Sequence, residues 1–223
     1  MVTIVTHAFF GETMATTSEK VLLAGSLALL LVVLGVNPEA DRLTWLLESL
    51  PVMIALPVLI ATHSRFPFTA LAYRLMWVFA VVLLIGGYYT YAEMPLFNWL
   101  RDNLHLSRNY YDRLGHLMQG ITPAIVTREI LLRRSPLVRD GWLASLVCCV
   151  VLAISAGYEF IEWWLAVLSG EAATAFLATQ GDVWDTQWDM FLALCGGIFA
   201  LWAFTPVPAR PPTALDPTLL IRK

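Results

Sequence analysis

Asp112 and His116 stand four residues apart, so on a helix their side chains share one face, and Gln119 extends that stripe by three residues. Glu159 and Glu162 form a second pair at helical spacing, with Tyr158 just before them. Asp182, Asp185 and Asp189 would make a third stripe if the chain is helical there, and Glu48 adds one further acid in an apolar run. Oxygen-rich sets containing a single imidazole suit Mg²⁺, Mn²⁺ or Zn²⁺ when facing helices bring them together. The same residues suit acid/base work, because neighbouring carboxylates share protons. The resulting assignment has Asp112, His116, Glu159, Asp182 and Asp185 as metal ligands. Glu159, Glu162 and Asp189 are the catalytic acids or bases, and Gln119, Tyr158 and Arg113 support them.

Each member also has a plainer reading. Asp182 and Asp185 would cap the last helix, His116 would be a hydrogen-bonded core residue, and Arg113 would neutralise a carboxylate. Coincidence favours the site, because three separate segments place acids at one depth.

Composition dictates what must position these residues. Hydrophobic residues make up 58% of the 223 and charged residues 14%. A water-soluble chain this apolar would lack the polar surface to cover itself, so lipid is its solvent. The net charge of -3 gives no footprint for nucleic acid. Cys148, Cys149 and Cys195 lie in apolar runs without a Cys-x-x-Cys pair and read as packing residues. His63 and His105 fall in loops and carry no assigned role.

Apolar runs at residues 21–36, 43–61, 75–92, 143–168 and 186–204 are long enough to span. Residues 112–132 are only weakly hydrophobic and span if their polar face packs on other helices. The expected fold is therefore an all-α polytopic transmembrane bundle with six spans, or five if residues 112–132 lie in the interface. Loop Lys and Arg counts fit both models. Aromatic placement favours six, because Tyr88, Tyr89, Tyr91, Trp99, Tyr110, Tyr111, Tyr158, Trp163, Trp164, Trp184 and Trp188 then form one outer belt. Residues 94–106 are amphipathic and are expected to lie on the membrane.

The organisation is a leading segment 1–19, a transmembrane domain 20–205 and a proline-rich disordered tail 206–223, with both termini cytoplasmic. Met14, followed by Ala15-Thr16-Thr17-Ser18-Glu19, would also make a natural chain start with a helix cap.

Longer motifs carry a family likeness. Tyr88-Tyr89-Thr90-Tyr91-Ala92-Glu93-Met94-Pro95 is followed by Arg108-Asn109-Tyr110-Tyr111-Asp112-Arg113-Leu114-Gly115-His116, Gln119-Gly120, Pro123-Ala124 and Arg128-Glu129-Ile130-Leu131. Tyr158-Glu159-Phe160-Ile161-Glu162-Trp163-Trp164 and Thr179-Gln180-Gly181-Asp182-Val183-Trp184-Asp185-Thr186-Gln187-Trp188-Asp189-Met190 complete the pattern. Over roughly residues 20–205 the chain resembles the YjdF-like bacterial inner-membrane family. That resemblance implies an integral inner-membrane protein and supplies no activity. A weaker likeness is to VanZ-like membrane proteins, which are linked to glycopeptide tolerance at the envelope. Asp112, His116, Glu159 or Glu162, and Asp185 would take that family's acidic and imidazole places. The chain departs from the pattern at Arg113, at the Trp after Glu162, and at Asp189 where an Asn is usual.

The function expected from these residues is a metal-dependent hydrolase or transferase at the outer leaflet, acting on a lipid-linked or amphiphilic substrate. The alternatives are a proton-coupled transporter, or a non-catalytic structural or regulatory protein. Nothing in the sequence sets an oligomeric state.

Overall fold

A computed structural model describes residues 13–169 and 179–204. The expectations for the first residues and for the proline-rich tail lie outside them, apart from the helix start near Met14. Among the described residues the protein is all α-helical, with no strand beyond an isolated bridge between Met14 and Thr69.

Six long helices and one short one follow in order: α1 (Thr17–Val36), α2 (Arg42–Thr62), α3 (Ala70–Tyr89), α4 (Pro95–Leu104), α5 (Tyr111–Arg134), α6 (Gly141–Ser169) and α7 (Asp185–Ala203). A single 3₁₀ turn, Tyr91–Glu93, joins α3 to α4. Helices α1, α2, α3 and α6 are long and apolar enough to cross a membrane. Their outer faces match that role. Val21, Leu22, Leu29, Val32, Val33 and Val36 are exposed on α1, where only Leu27 is buried. In water such a helix would not stay apolar-side-out; in hydrocarbon it costs nothing.

Local sequence fixes the helix starts. Thr16 accepts a hydrogen bond from the Glu19 N–H, as the expected cap requires. Asp41 accepts from the N–H groups of Leu43 and Thr44, and Thr69 from that of Ala72. Helix α3 therefore begins at Ala70, five residues before the apolar run suggested, because a cap outweighs hydropathy at a boundary. The amphipathic segment expected at 94–106 is α4. It opens on Pro95, which needs no N–H in a first turn, and ends at left-handed His105 (φ 52°).

Helix α5 is the least apolar of the long helices and the most enclosed. It packs most extensively against α7, while α6 covers both and α3 lies on another side. Glycines let α5 and α7 touch backbone to backbone. A Cβ at Gly120 would collide with the Ala193 carbonyl, and one at Gly196 with that of Leu117. The two helices run parallel: the Asp112 end of α5 meets the start of α7, and Arg128 near its other end donates to the Phe204 carbonyl at 3.0 Å. With 24 residues at about 1.5 Å each, α5 is long enough to cross a bilayer. Asp112, Arg113, His116, Gln119, Thr122, Arg128 and Glu129 on α5 thus face protein rather than lipid, and Arg133 and Arg134 are exposed at its end.

The chain alternates in direction through α1, α2, α3, α5, α6 and α7. The starts of α2, α5 and α7 share one end of the bundle with the ends of α3 and α6. Trp99, Trp163, Trp164, Trp184 and Trp188 are exposed on elements at that end, while exposed Trp142 and Trp202 belong to the opposite end.

Candidate functional site

Sequence spacing places Asp112, His116 and Gln119 on one face of α5, and the bundle turns that face inward: all three are buried. His116 is at the centre. Its Nδ1 is 3.0 Å from Gln119 Oε1 and 3.9 Å from Glu159 Oε1. Its Nε2 is 3.5 Å from Asp112 Oδ1 and 3.6 Å from Asp189 Oδ1. In the tautomer whose Nδ1–H donates to Gln119, Nε2 carries the lone pair, as a metal-binding histidine requires; with Nε2 protonated, His116 instead turns an N–H towards the two carboxylates. One ligand atom from each of Asp112, His116 and Asp189 lies within 4.8 Å of the others. Two ligands bound about 2.1 Å from one ion stand about 3–4.2 Å apart, so the imidazole–carboxylate spacings fit a shared cation.

A guanidinium layer adjoins this cluster. Arg113 Nη2 donates to Asp185 Oδ1 at 2.6 Å and to Asp182 Oδ2 at 3.1 Å. Its Nη1 donates to Asp189 and to the Asp185 carbonyl. Arg108 Nη1 donates to the same Asp185 oxygen at 2.7 Å. Asp182 and Asp185, expected as ligands, therefore hold arginines, while Asp189, expected as an acid or base, stands among the potential ligands. The three aspartates do not form one helical stripe either. Gln180 (φ 49°) and Gly181 (φ 83°) make a left-handed turn, Asp182 Oδ1 accepts from the Trp184 N–H, and α7 begins only at Asp185.

Arg108, Asn109 and Gln180 are the functional-looking residues that spacing alone did not single out. Asn109 and Gln180 exchange two hydrogen bonds, each 2.9 Å, that fasten the turn before α7 to the start of α5. Asn109 also donates to Asn98 and the Met94 carbonyl, so α4 is tied to the same knot. The usable signal was local: Arg108 lies four residues before Asp112, and the pair stands 3.7 Å apart.

Beside His116 lies a cavity of about 400 Å³. Glu48, Tyr91, Asp112, His116, Tyr158 and Glu162 line its polar part, and Phe79, Leu83, Ile154 and Ile161 its apolar part. Glu48 is 1% exposed, and its Oε2 has no hydrogen-bond partner. Asp112 Oδ2 and Glu159 Oε1 are likewise buried without a hydrogen bond. Thr90, whose Oγ1 is 3.5 Å from Glu48 Oε1, holds φ 59°, a strained backbone for a β-branched residue.

These features define an integral α-helical membrane protein with a buried carboxylate, guanidinium and imidazole cluster at one end of its bundle. The chain belongs to the predicted membrane protein family DUF2238, whose model matches residues 19–210. It is similar to the inner membrane protein YjdF of Escherichia coli (strain K12), at 50% identity over 173 residues, covering 78% of this chain and 82% of that protein. No solved structure matches it. The YjdF-like membership expected from the motifs is thus shown, while the VanZ likeness is not.

Proposed function

We propose that this chain is a metal-dependent inner-membrane enzyme, a hydrolase or transferase working on an amphiphilic or lipid-linked substrate at the outer leaflet, with both termini cytoplasmic. Asp112, His116 and Asp189 bind one divalent cation, the imidazole through Nε2, while Glu159, expected as a ligand, stands at the Nδ1 edge of the ring, 3.9 Å away, outside that group. Glu162, on the cavity wall, is the acid or base. Arg108 and Arg113, anchored by Asp182 and Asp185, hold α7 so that Asp189 faces His116. A bound Mg²⁺, Mn²⁺ or Zn²⁺ would supply Lewis acidity and a more acidic water.

One observation carries this reading. In this buried site Asp112, Glu159, Asp182, Asp185 and Asp189 outnumber the guanidinium groups of Arg108 and Arg113, and Asp112 Oδ2, on the cavity wall, has ion pairs at 3.7 Å with both arginines but no hydrogen bond. An excess of buried carboxylates over cationic side chains is costly, and a divalent cation offsets that cost.

A structural role is the second reading, favoured by the Arg108 and Arg113 pairs that already tie α5 to α7. Elemental analysis of the purified chain separates them. Stoichiometric metal in the parent, lost in Asp112→Asn and His116→Ala and kept in Asp102→Asn at an exposed site, supports the enzyme. Metal-free parent protein with normal folding leaves the structural role.

A further inference from the structure

The cavity beside His116 is unusual in its hydrogen-bonding character. Neither Lys nor Arg lines it. Apart from Asp112 and His116, which belong to the proposed cation site, its acidic groups are Glu48 and Glu162, and the Glu48 Oε2 atom is buried and unpartnered. Two prolines on its wall, Pro51 and Pro123, add to this. Each lies inside a helix and has no N–H, so the carbonyl four residues before it, at Leu47 and Gln119, loses its helical donor, and Gln119 is itself on the cavity wall. The Glu48–Glu162 side of the cavity is thus rich in acceptor oxygens and has no Lys or Arg. An anionic headgroup would meet only acceptor oxygens at Glu48 and Glu162, whereas an ammonium has three donors and no acceptor. The rings of Tyr91 and Tyr158 on the same wall add faces that attract a cation.

The position of the opening indicates what the ammonium is attached to. Among the described residues, α2 and α6 share no extensive packing, and the cavity lies between Glu48 and Pro51 of one and Ile154, Gly157 and Ile161 of the other. Ile154 and Ile161 are 42% and 48% exposed on the side of the bundle, so the cavity reaches the lipid-facing surface through an apolar wall.

We infer that this cavity takes an amphiphile with a protonated amine headgroup, the ammonium held between Glu48 and Glu162 and the alkyl chain leaving between α2 and α6. This names the substrate class of the proposed enzyme, and it rests on that reading only for the chemistry that follows binding. Glu48 and Glu162 are separate from the three residues proposed to bind metal, so recognition and metal binding can be lost independently.

The test uses the full chain in an uncharged maltoside detergent, titrated with dodecylammonium, dodecanol, dodecyl sulfate and ethanolamine and read by native mass spectrometry. Dodecylammonium is expected to bind at least about tenfold more tightly than dodecanol, the usual scale for a buried charge-assisted hydrogen bond. Dodecyl sulfate should be excluded. Ethanolamine binding as well as dodecylammonium would identify a free amine rather than a lipid headgroup as the ligand, overturning the amphiphile assignment. The paired change Glu48→Gln and Glu162→Gln should abolish the preference for dodecylammonium while metal content stays that of the parent. Should that protein fail to fold, Ile161→Trp, which narrows the lateral opening and leaves every acid in place, should weaken dodecylammonium binding. Equal binding of dodecylammonium and dodecanol by the parent overturns the inference, whether or not the protein holds metal. Selective dodecylammonium binding by a metal-free parent keeps it and removes only the enzyme reading.

Discussion

Arg113 of α5 reaches Asp185 of α7 at 2.6 Å, and its second nitrogen donates to Asp189 one turn further on. One buried guanidinium thus grips two turns of a neighbouring helix, with Arg108 sharing the Asp185 oxygen at 2.7 Å. Breaking a buried pair from one side strands the partner charge, which usually costs about 3–5 kcal/mol. Arg113→Met should therefore lower the unfolding midpoint in detergent strongly. Adding Asp189→Asn should recover part of the loss, because it removes a stranded charge. No recovery would mean that Arg113 acts through shape rather than charge.

Close backbone approach at the α5–α7 seam makes its glycines irreplaceable. Gly120→Ala and Gly196→Ala each push a methyl into a backbone carbonyl of the other helix, and each should destabilise by about 1–3 kcal/mol or more. Gly25→Ala, with open space around the new methyl, should be neutral or slightly stabilising in a helix interior. Comparable midpoints for all three proteins would contradict the seam.

At the start of α2, Asp41 accepts from two backbone N–H groups and from the Thr44 hydroxyl at 2.5 Å. The Thr44 hydroxyl bond, then its backbone N–H, hold the Asp41 carboxyl below its ordinary value of 3.8. A carboxyl with a depressed folded value contributes stability above its unfolded value and loses it as pH falls through the folded one. Asp41→Ala should cost about 1 kcal/mol near neutral pH and nothing in acid well below pH 3.8. Paired thermal scans at neutral and acid pH measure the difference, and a cost that persists in acid would assign it to packing.

Alternation of the long helices predicts labelling from opposite sides of the membrane. In a chain with Cys148, Cys149 and Cys195 replaced by Ala, Asn103→Cys before α5 and Val183→Cys before α7 should react with an impermeant maleimide from one side. Val138→Cys after α5 should react only from the other. Labelling of Asn103→Cys and Val138→Cys from the same side would mean that α5 does not cross.

The sequence by itself determined the class of protein and the local faces. Apolar run lengths called for membrane helices, and the four-residue and three-residue spacings put Asp112 with His116 and Glu159 with Glu162. Caps such as Thr16 were legible too, because a cap bonds to an N–H three residues away in the chain. Only tertiary structure decided which carboxylates face the imidazole and which face an arginine. Arg113 and Asp185 are 72 residues apart, and their meeting depends on how α5 and α7 are rotated about their axes. That rotation is set where Gly120 and Gly196 admit the opposing backbone, a constraint that helical periodicity does not carry. The cavity at Glu48 is the same kind of fact. It exists because α2 and α6 stand apart, and a space between helices leaves no repeat in the residues that border it.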